Sequence, residues 1–158
     1  MKKMTGGVLE PVEPPIEKPE KPTTPPSTED LRTININDEI MAVVGSKTWR
    51  SIAYGNGIYV VVGIDGYTAY STDGENWTRK AVGANSWYAI AFGNGKFVAV
   101  GKSRTITTTT DGKTWTTVKQ VGTSNVGNWL AIVYGDGKFI TSSSNGYGAI
   151  SIDGVNWT

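Results

Sequence analysis

The stretch FGNGKFVAVG at residues 92–101 appears almost unchanged as YGNGIYVVVG at 54–63 and as YGDGKFITSS at 134–143. Each copy has Asn-Gly or Asp-Gly near its start, and these dipeptides favour the positive φ angles of a type I′ hairpin turn. In the copy at 54–63 the β-branched and aromatic run after the turn, IYVVVG, is typical of a strand buried on both faces. The stretch therefore predicts a strand, a two-residue turn and a second strand, rather than a glycine-rich binding loop.

The six tryptophans divide the sequence after residue 48 into three units of one design. The first of each pair opens a unit and the second closes it: Trp49 and Trp77, Trp87 and Trp115, Trp129 and Trp157. Opener and closer are 28 residues apart in every unit, whereas the next opener follows 10 residues after the first closer and 14 after the second. A constant core with variable connectors indicates one structural module per unit, with insertions in a surface loop.

Each unit contains signals for two more strands after the hairpin. A third strand is predicted at YTAYS in the first unit and TITTTT in the second, and a fourth begins at the closing tryptophan. Four antiparallel strands in roughly 40 residues are typical of a β-propeller blade. The predicted fold class is therefore all-β, with three four-stranded antiparallel blades at 49–86, 87–128 and 129–158.

The turn between the third and fourth strands is spelled STDGENW, TTDGKTW and SIDGVNW. Its aspartate can accept hydrogen bonds from following backbone amides, its glycine supplies the unusual φ, and its tryptophan covers the turn. We predict structural roles for these residues, which are Asp73, Asp111 and Asp153 with Gly74, Gly112 and Gly154.

This turn resembles the Asp-box repeat of sialidase-type β-propellers, although here glycine follows aspartate directly and the turn is one residue shorter. The resemblance covers residues 49–158. The whole unit is similar to repeats in bacteriophage tail and fibre proteins and in bacterial surface proteins. The resemblance implies a propeller fold and, through the phage proteins, a place on a virus particle.

The sequence before the repeats is of a different kind. All seven prolines lie between Pro11 and Pro26, so residues 1–32 are predicted to form an extended linker or anchor rising about 3 Å per residue. Residues 33–48 are predicted to connect this segment to the blades. Within them Ile40–Val44 matches the fourth strand of the first unit, so it is a candidate outer strand for a blade formed elsewhere.

Three blades do not close a ring, since propellers have typically 4–8 blades. An open stack would leave apolar faces exposed at both ends, which soluble monomers avoid. We therefore expect a homo-oligomer: two chains in one six-bladed ring or three chains around an axis. The remaining alternative is that the sequence is the first part of a longer polypeptide.

The composition argues against catalysis. The chain has no His and no Cys, which removes the commonest general base and any thiolate site. A sialidase mechanism needs an arginine cluster, yet the four arginines (Arg32, Arg50, Arg79 and Arg104) are scattered outside the repeated core. We predict no enzymatic activity, no cofactor and no metal site. A net charge of +1 without a basic stripe predicts no nucleic-acid partner, and no apolar run is long enough for membrane insertion.

Binding is the function left by these exclusions. Specificity is expected in the loops that differ between units, at 64–67, 102–105, 121–128 and 142–147. The candidate ligand-binding residues are Tyr67, Tyr88 and Tyr147, which could stack on sugar rings, together with Arg104 and Asn145. The competing interpretation is that these tyrosines only cover blade edges.

The predicted function is that of a non-enzymatic bacteriophage virion component: a fibre, spike or head-decoration protein. It would attach to other virion proteins through residues 1–30 and display the propeller to a cell-surface glycan. The alternatives are a purely structural spacer of the particle, or an assembly factor of propeller type in the bacterial cytoplasm.

Overall fold

The computed structural model describes residues 47–158, and within them it contains three antiparallel sheets. The predicted anchor at 1–32 and the predicted outer strand at 40–44 lie outside the described residues. The first sheet has β1 (Trp49–Gly55), β2 (Ile58–Gly63), β3 (Tyr67–Ser71) and β4 (Thr78–Ala81). The second has β5 (Trp87–Gly93), β6 (Lys96–Gly101), β7 (Thr105–Thr109) and β8 (Lys119–Gln120). The third has β9 (Trp129–Gly135), β10 (Lys138–Ser143) and β11 (Gly148–Ser151).

Each sheet is a meander in which neighbours along the chain pair with one another. The hairpin turns are as predicted: Gly93 pairs with Lys96, and φ is 46° at Asn94 and 71° at Gly95. The other two turns have the same pair of positive φ values. The all-β class and the type I′ hairpins are therefore confirmed.

The fourth strands differ from one sheet to the next. In the first, β4 pairs with β3 along four residues, from Tyr70 opposite Thr78 to Tyr67 opposite Ala81. In the second, Ile106 pairs with Lys119, and the earlier Thr108 N–H donates instead to the hydroxyl of Thr116, at 3.0 Å. One extra residue is thereby accommodated as a bulge, and β8 is only two residues long.

The third sheet has three complete strands in the part of the chain that the structure describes, and only the beginning of its fourth strand is present. A first backbone pair of the fourth strand is present, because Ile150 and Thr158 exchange N–H···O bonds of 2.8 and 3.0 Å. This pair matches Tyr70 with Thr78 in the first sheet.

The sheets pack face to face as successive blades. The first strands β1, β5 and β9 lie side by side and form the innermost row. Between the first two blades, Val60 and Val62 pack with Phe97 and Trp87. Between the second and third blades, the equivalent cluster includes Val98, Val100, Phe139 and Trp129. The largest buried side chains are thus interfacial, so no blade has a complete core of its own.

Burial of the second strands shows which faces are covered. In β2 and β6 the last four residues are all buried, as the sequence predicts for β2. β6 lies between two sheets, whereas on the front face of β2 Val61 packs with Ala69 and Trp77 of its own blade. In β10 buried and exposed positions alternate, and Ile140 is 43% exposed. No sheet among the described residues lies against the outer face of β10, so burial on both faces does not extend to this strand.

Candidate binding surface

The meander divides the loops between two edges of the blades. One edge, called here the turn edge, carries the β1–β2 type of hairpin and the turns that contain Asp73, Asp111 and Asp153, called Asp-box turns below for their resemblance in sequence. The opposite edge, called here the connector edge, carries the β2–β3 type of loop and the connectors between blades. All five candidate ligand-binding residues lie at the connector edge or in the first two residues of a strand that starts there: Tyr67, Tyr88, Arg104, Asn145 and Tyr147.

At the turn edge, the Asp-box aspartates hold their own turns. Asp73 Oδ1 accepts from the backbone N–H groups of Glu75 and Asn76, at 2.9 and 2.7 Å. Ser71 donates its hydroxyl to the same oxygen at 2.9 Å. The same bonds recur around Asp111 and Asp153. The carboxylates are therefore occupied by backbone amides.

These bonds stabilise the charged form of each carboxylate and lower its pKa. Backbone N–H groups of Thr114 and Lys113 are the main cause at Asp111, where the pKa falls to about 2. The pKa values of Asp73 and Asp153 are also lowered, at Asp73 chiefly by the side chain of Asn76. A carboxylate with a lowered pKa is a poor proton donor near neutral pH, which suits a structural role.

Two of the three closing tryptophans donate a hydrogen bond to the Asp-box turn that they cover. Trp77 Nε1 donates to Gly74 O at 2.9 Å, and Trp157 Nε1 donates to Gly154 O at 3.3 Å. Trp115 Nε1 is buried without a partner among residues 47–158. The three turns are therefore less alike in the hydrogen bonding of their tryptophans than in sequence.

At the connector edge, Asn128 joins the loops of the second and third blades. Its Oδ1 accepts from the Ser103 N–H at 2.9 Å. Its own N–H donates to Ser144 Oγ at 3.1 Å, and its carbonyl accepts from the Ser144 N–H at 2.8 Å. Asn145 Nδ2 then reaches Asn125 O at 2.8 Å. Sequence reasoning placed Asn128 in a variable loop but did not identify this role, because nothing local signals the pairing.

The three tyrosines differ in how open they are. The Tyr67 ring has Lys47 Nζ 4.1 Å and Arg79 Cζ 5.2 Å from its centroid, so cations already occupy its surroundings. Tyr88 is half-buried. Tyr147 is 47% exposed, which leaves its ring the most available for stacking.

Arg104 has an unusual backbone. Its φ is +64°, in the left-handed region, and the equivalent residues of the other blades are Gly66 and Gly146 with φ of 76° and 79°. An L residue in this region is strained by roughly 1–2 kcal/mol. The Nε atom of Arg104 is buried and has no hydrogen-bond partner in the described part of the chain. The second blade therefore has an arginine side chain at a position where the other two blades have glycine.

A groove of about 470 Å³ lies beside the outer strand of the second blade. Its walls are formed by tryptophan, threonine and aliphatic side chains with one charged side chain, and they include Trp115, Trp157, Thr107, Val121, Val155 and Lys119. None of the five candidate ligand-binding residues lines it. Within residues 47–158 no group of three or more His, Cys, Asp or Glu side chains could hold a metal ion, and no helix is long and apolar enough to cross a membrane.

Comparison with solved structures identifies the fold. YCF48 bound to D1 peptide superposes with a TM-score of 0.61 at 19% identity, covering 71% of this chain and 40% of that one. YCF48 from Cyanidioschyzon merolae gives 0.60 at 21%, covering 71% and 36%. The WD40 β-propeller domain of Doa1 gives 0.57 at 15%, covering 68% and 38%. The chain thus has the β-propeller fold and spans about two fifths of each of these structures.

No protein-family model matches the sequence, and no curated protein matches it either. The relation to Asp-box proteins of bacteriophages therefore stays a prediction.

Proposed function

We propose that the protein is a non-enzymatic binding module that takes an acidic cell-surface glycan at the connector edge of its second and third blades. The observation that carries the proposal is Arg104. Its left-handed backbone costs free energy that glycine at the same position in the other blades avoids. Strain of this kind concentrates at ligand-binding positions, because the strained side chain is retained for what it contacts.

The chemistry of the surrounding loops fits such a ligand. Arg104 offers a guanidinium, which pairs with a carboxylate in two parallel hydrogen bonds. Asn145 and Ser144 lie in the loop that Asn128 ties to Ser103, the neighbour of Arg104. Their amide and hydroxyl groups suit sugar hydroxyls, and the exposed Tyr147 ring suits a sugar face.

The turn edge supports the non-enzymatic part of the proposal. The three Asp-box carboxylates are engaged by backbone amides, and the chain has no histidine. A general acid near neutral pH would need a raised pKa, whereas all three are lowered.

Display on a bacteriophage particle is the setting we propose, with residues 1–30 as the attachment to other virion proteins. A protein lacking residues 1–30 should then fold and bind ligand but should not be incorporated into particles. Incorporation of the truncated protein at the normal level would argue against the attachment.

A glycan array with fluorescent protein tests the binding. We expect the wild-type chain to bind glycans that carry carboxylates and to lose at least about tenfold in affinity for their carboxyl-reduced forms, since one charged pair is removed. Arg104→Gly should show the same loss, whereas Asp136→Gly should not. Asp136 also has a positive φ but lies at the opposite edge. Equal binding by wild type and Arg104→Gly would refute the site.

A second candidate is a propeller-type assembly factor that binds a protein segment. The similarity to YCF48, one structure of which is bound to a D1 peptide, favours it. Peptides ending in a free carboxylate would then replace glycans as ligands of Arg104, and a peptide array probed with the same variants separates the two candidates.

A further inference from the structure

The two end faces of the three-blade stack are apolar, and each has large side chains that are exposed. On the front face of the first blade, Val61, Ala69 and Trp77 form a buried cluster, so exposure there is confined to the neighbouring positions. Equivalent positions differ by 38 residues between the first and second blades and by 42 between the second and third, the separations of Trp49, Trp87 and Trp129. On this numbering the front face of the first blade presents Ile52 and Tyr54, which are 41% and 58% exposed. The back face of the third blade presents Val133, Ile140 and Ile150, which are 59%, 43% and 45% exposed.

The internal interfaces show how such faces fit together. The Phe92 ring of the second blade lies on Gly55 of the first, where an added β-carbon would be 2.2 Å from Phe92 Cγ. The Tyr134 ring of the third blade lies on Gly93 in the same way, at 2.0 Å. The third glycine of this series, Gly135, has open space at its β-carbon position. The aromatic residue that opens the series, Tyr54, has no glycine beneath it in the described residues.

Tyr54 is already held in the geometry of its buried counterparts. Its ring centroid lies 4.6 Å from that of Tyr59, at an interplanar angle of 45°. The equivalent ring pairs inside the stack have centroids 4.8 and 4.7 Å apart, at 59° and 56°. The Tyr54 ring therefore needs no rearrangement to make the contact that its counterparts make.

A second set of contacts is available at the turn edge. Gly112 and Gly154 pack on Val60 and Val98 of the preceding blade, and an added β-carbon would be 2.9 and 2.7 Å from a valine methyl. At the equivalent glycine of the first blade, Gly74, the described residues place only Tyr59 near an added β-carbon, at 3.7 Å. The equivalent of the two valines is the exposed Ile140.

A polar contact follows the same pattern. Lys96 Nζ donates to Asp153 O across the second interface, at 2.9 Å. Its equivalent is Lys138 on the back face, with a side chain 38% exposed, and the matching carbonyl on the front face is that of Asp73. The exposed apolar side chains, the open space at Gly74 and Gly135, and the Lys138 amine therefore all fit the same arrangement, with the back face of one copy against the front face of another.

We infer that the back face of the third blade binds the front face of the first blade of a second copy, with Tyr54 of one chain on Gly135 of the other. Contacts of this head-to-tail kind form rings when the rotation closes. Two copies have six blades, within the usual range of 4–8, whereas three copies would have nine. The ring therefore contains two chains joined by two identical interfaces.

Light scattering on the purified full chain gives the first test. We expect twice the chain mass of 16.9 kDa. Gly135→Ala should yield a monomer with an unchanged circular dichroism spectrum, because its β-carbon meets nothing within 4 Å among residues 47–158 of its own chain but would meet Tyr54 of the partner. Tyr54→Ala should also be monomeric, and the exposed Lys80→Ala should remain dimeric. A monomeric wild type, a three-chain or open assembly, or a dimer unaffected by Gly135→Ala overturns the inference.

Cross-linking tests the register, since the chain has no cysteine of its own. Asn94 Nδ2 contacts Ile152 O across the internal interface at 3.4 Å, and the equivalent pair between chains is Asp136 with Thr72. Asp136→Cys combined with Thr72→Cys should form a covalent dimer on oxidation, whereas either change alone should not. Asn94→Cys with Ile152→Cys is the matched control and should cross-link within one chain. Cross-linking of the control pair but not of the intermolecular pair refutes the register.

Discussion

The Tyr134 ring rests directly on Gly93, so that a β-carbon on the glycine would stand 2.0 Å from Tyr134 Cγ. The contact joins the end of β5 to β9, the first strand of the next blade. It exists because the repeat has glycine at the end of each first strand and an aromatic residue just before it. The sequence repeated at 54–63, 92–101 and 134–143 therefore determines the contact between blades as well as the hairpin.

Gly93→Ala should destabilise the fold through this contact. The methyl group would overlap the ring, and overpacking of this kind costs about 1–3 kcal/mol of unfolding free energy, with a backbone-to-ring overlap at the upper end. Urea denaturation at one fixed protein concentration measures the change.

Gly95→Ala is the matched control for this prediction. Gly95 has open space at its β-carbon but a φ of +71°, so alanine there is strained by about 1–2 kcal/mol without any clash. A Gly93→Ala variant no less stable than wild type would mean that the ring moves aside at little cost.

The closing tryptophans should respond unequally to loss of their indole N–H. Trp77→Phe removes the bond to Gly74 O, whereas Trp115→Phe removes a buried donor that has no partner among residues 47–158. An unpaired buried donor carries a desolvation cost, so its removal is favourable by about 1 kcal/mol or more relative to loss of a made bond. We expect the urea midpoint of Trp115→Phe to lie above that of Trp77→Phe. The reverse order would indicate that a solvent molecule or another group satisfies Trp115.

The strands and turns could be predicted from sequence because their signals are local. Asn94-Gly95 specifies its turn through backbone preferences, and Asp111 binds amides only two and three residues away. Blade stacking was also predictable, since one hairpin pattern recurs three times and its second strand is a continuous apolar run in the first two units. The constant 28-residue distance between the opening and closing tryptophans indicates that the units pack in the same way.

The remaining features depend on contacts that no local pattern encodes. The bulge that shortens β8 follows from one extra residue after Trp115. The distance from Trp115 to Trp129 shows that the connector is longer, but it does not show where the extra residue lies. The role of Asn128 depends on two loops that meet only after the blades have stacked. The strain at Arg104 follows from its positive φ at a position where the other blades have Gly66 and Gly146. An arginine in a loop gives no sign of such a backbone angle by itself.

Acid should weaken the Asp-box turns in a defined pH window. The pKa of Asp111 falls from 3.8 to about 2 on folding, mainly through the backbone N–H of Thr114. A carboxylate with a lowered folded pKa contributes stability above its unfolded pKa and loses it as pH falls through the folded value. The contribution should therefore be complete above about pH 5 and lost between about pH 4 and 2.

Asp111→Asn isolates this effect in thermal unfolding at a series of pH values. The variant should unfold at a lower temperature than wild type near pH 7, because its neutral amide accepts hydrogen bonds less strongly than a carboxylate. The difference should shrink toward pH 2, where wild-type Asp111 is itself becoming neutral. A difference that is constant from pH 7 to pH 2 would show that the charge on Asp111 does not contribute.

Arg104→Gly should make the protein more stable while it weakens ligand binding by at least about tenfold. Relief of the left-handed strain contributes about 1–2 kcal/mol, and the greater freedom of glycine in the unfolded chain offsets roughly 0.5–1 kcal/mol of it. The net gain should be about 0.5–1 kcal/mol in urea denaturation. Arg104→Ala is the control, because it removes the guanidinium and retains the strained backbone. It should lose ligand binding to the same extent as Arg104→Gly without the gain in stability. If both variants are less stable than wild type, the Arg104 side chain stabilises the fold, and the argument that it is retained for a ligand fails.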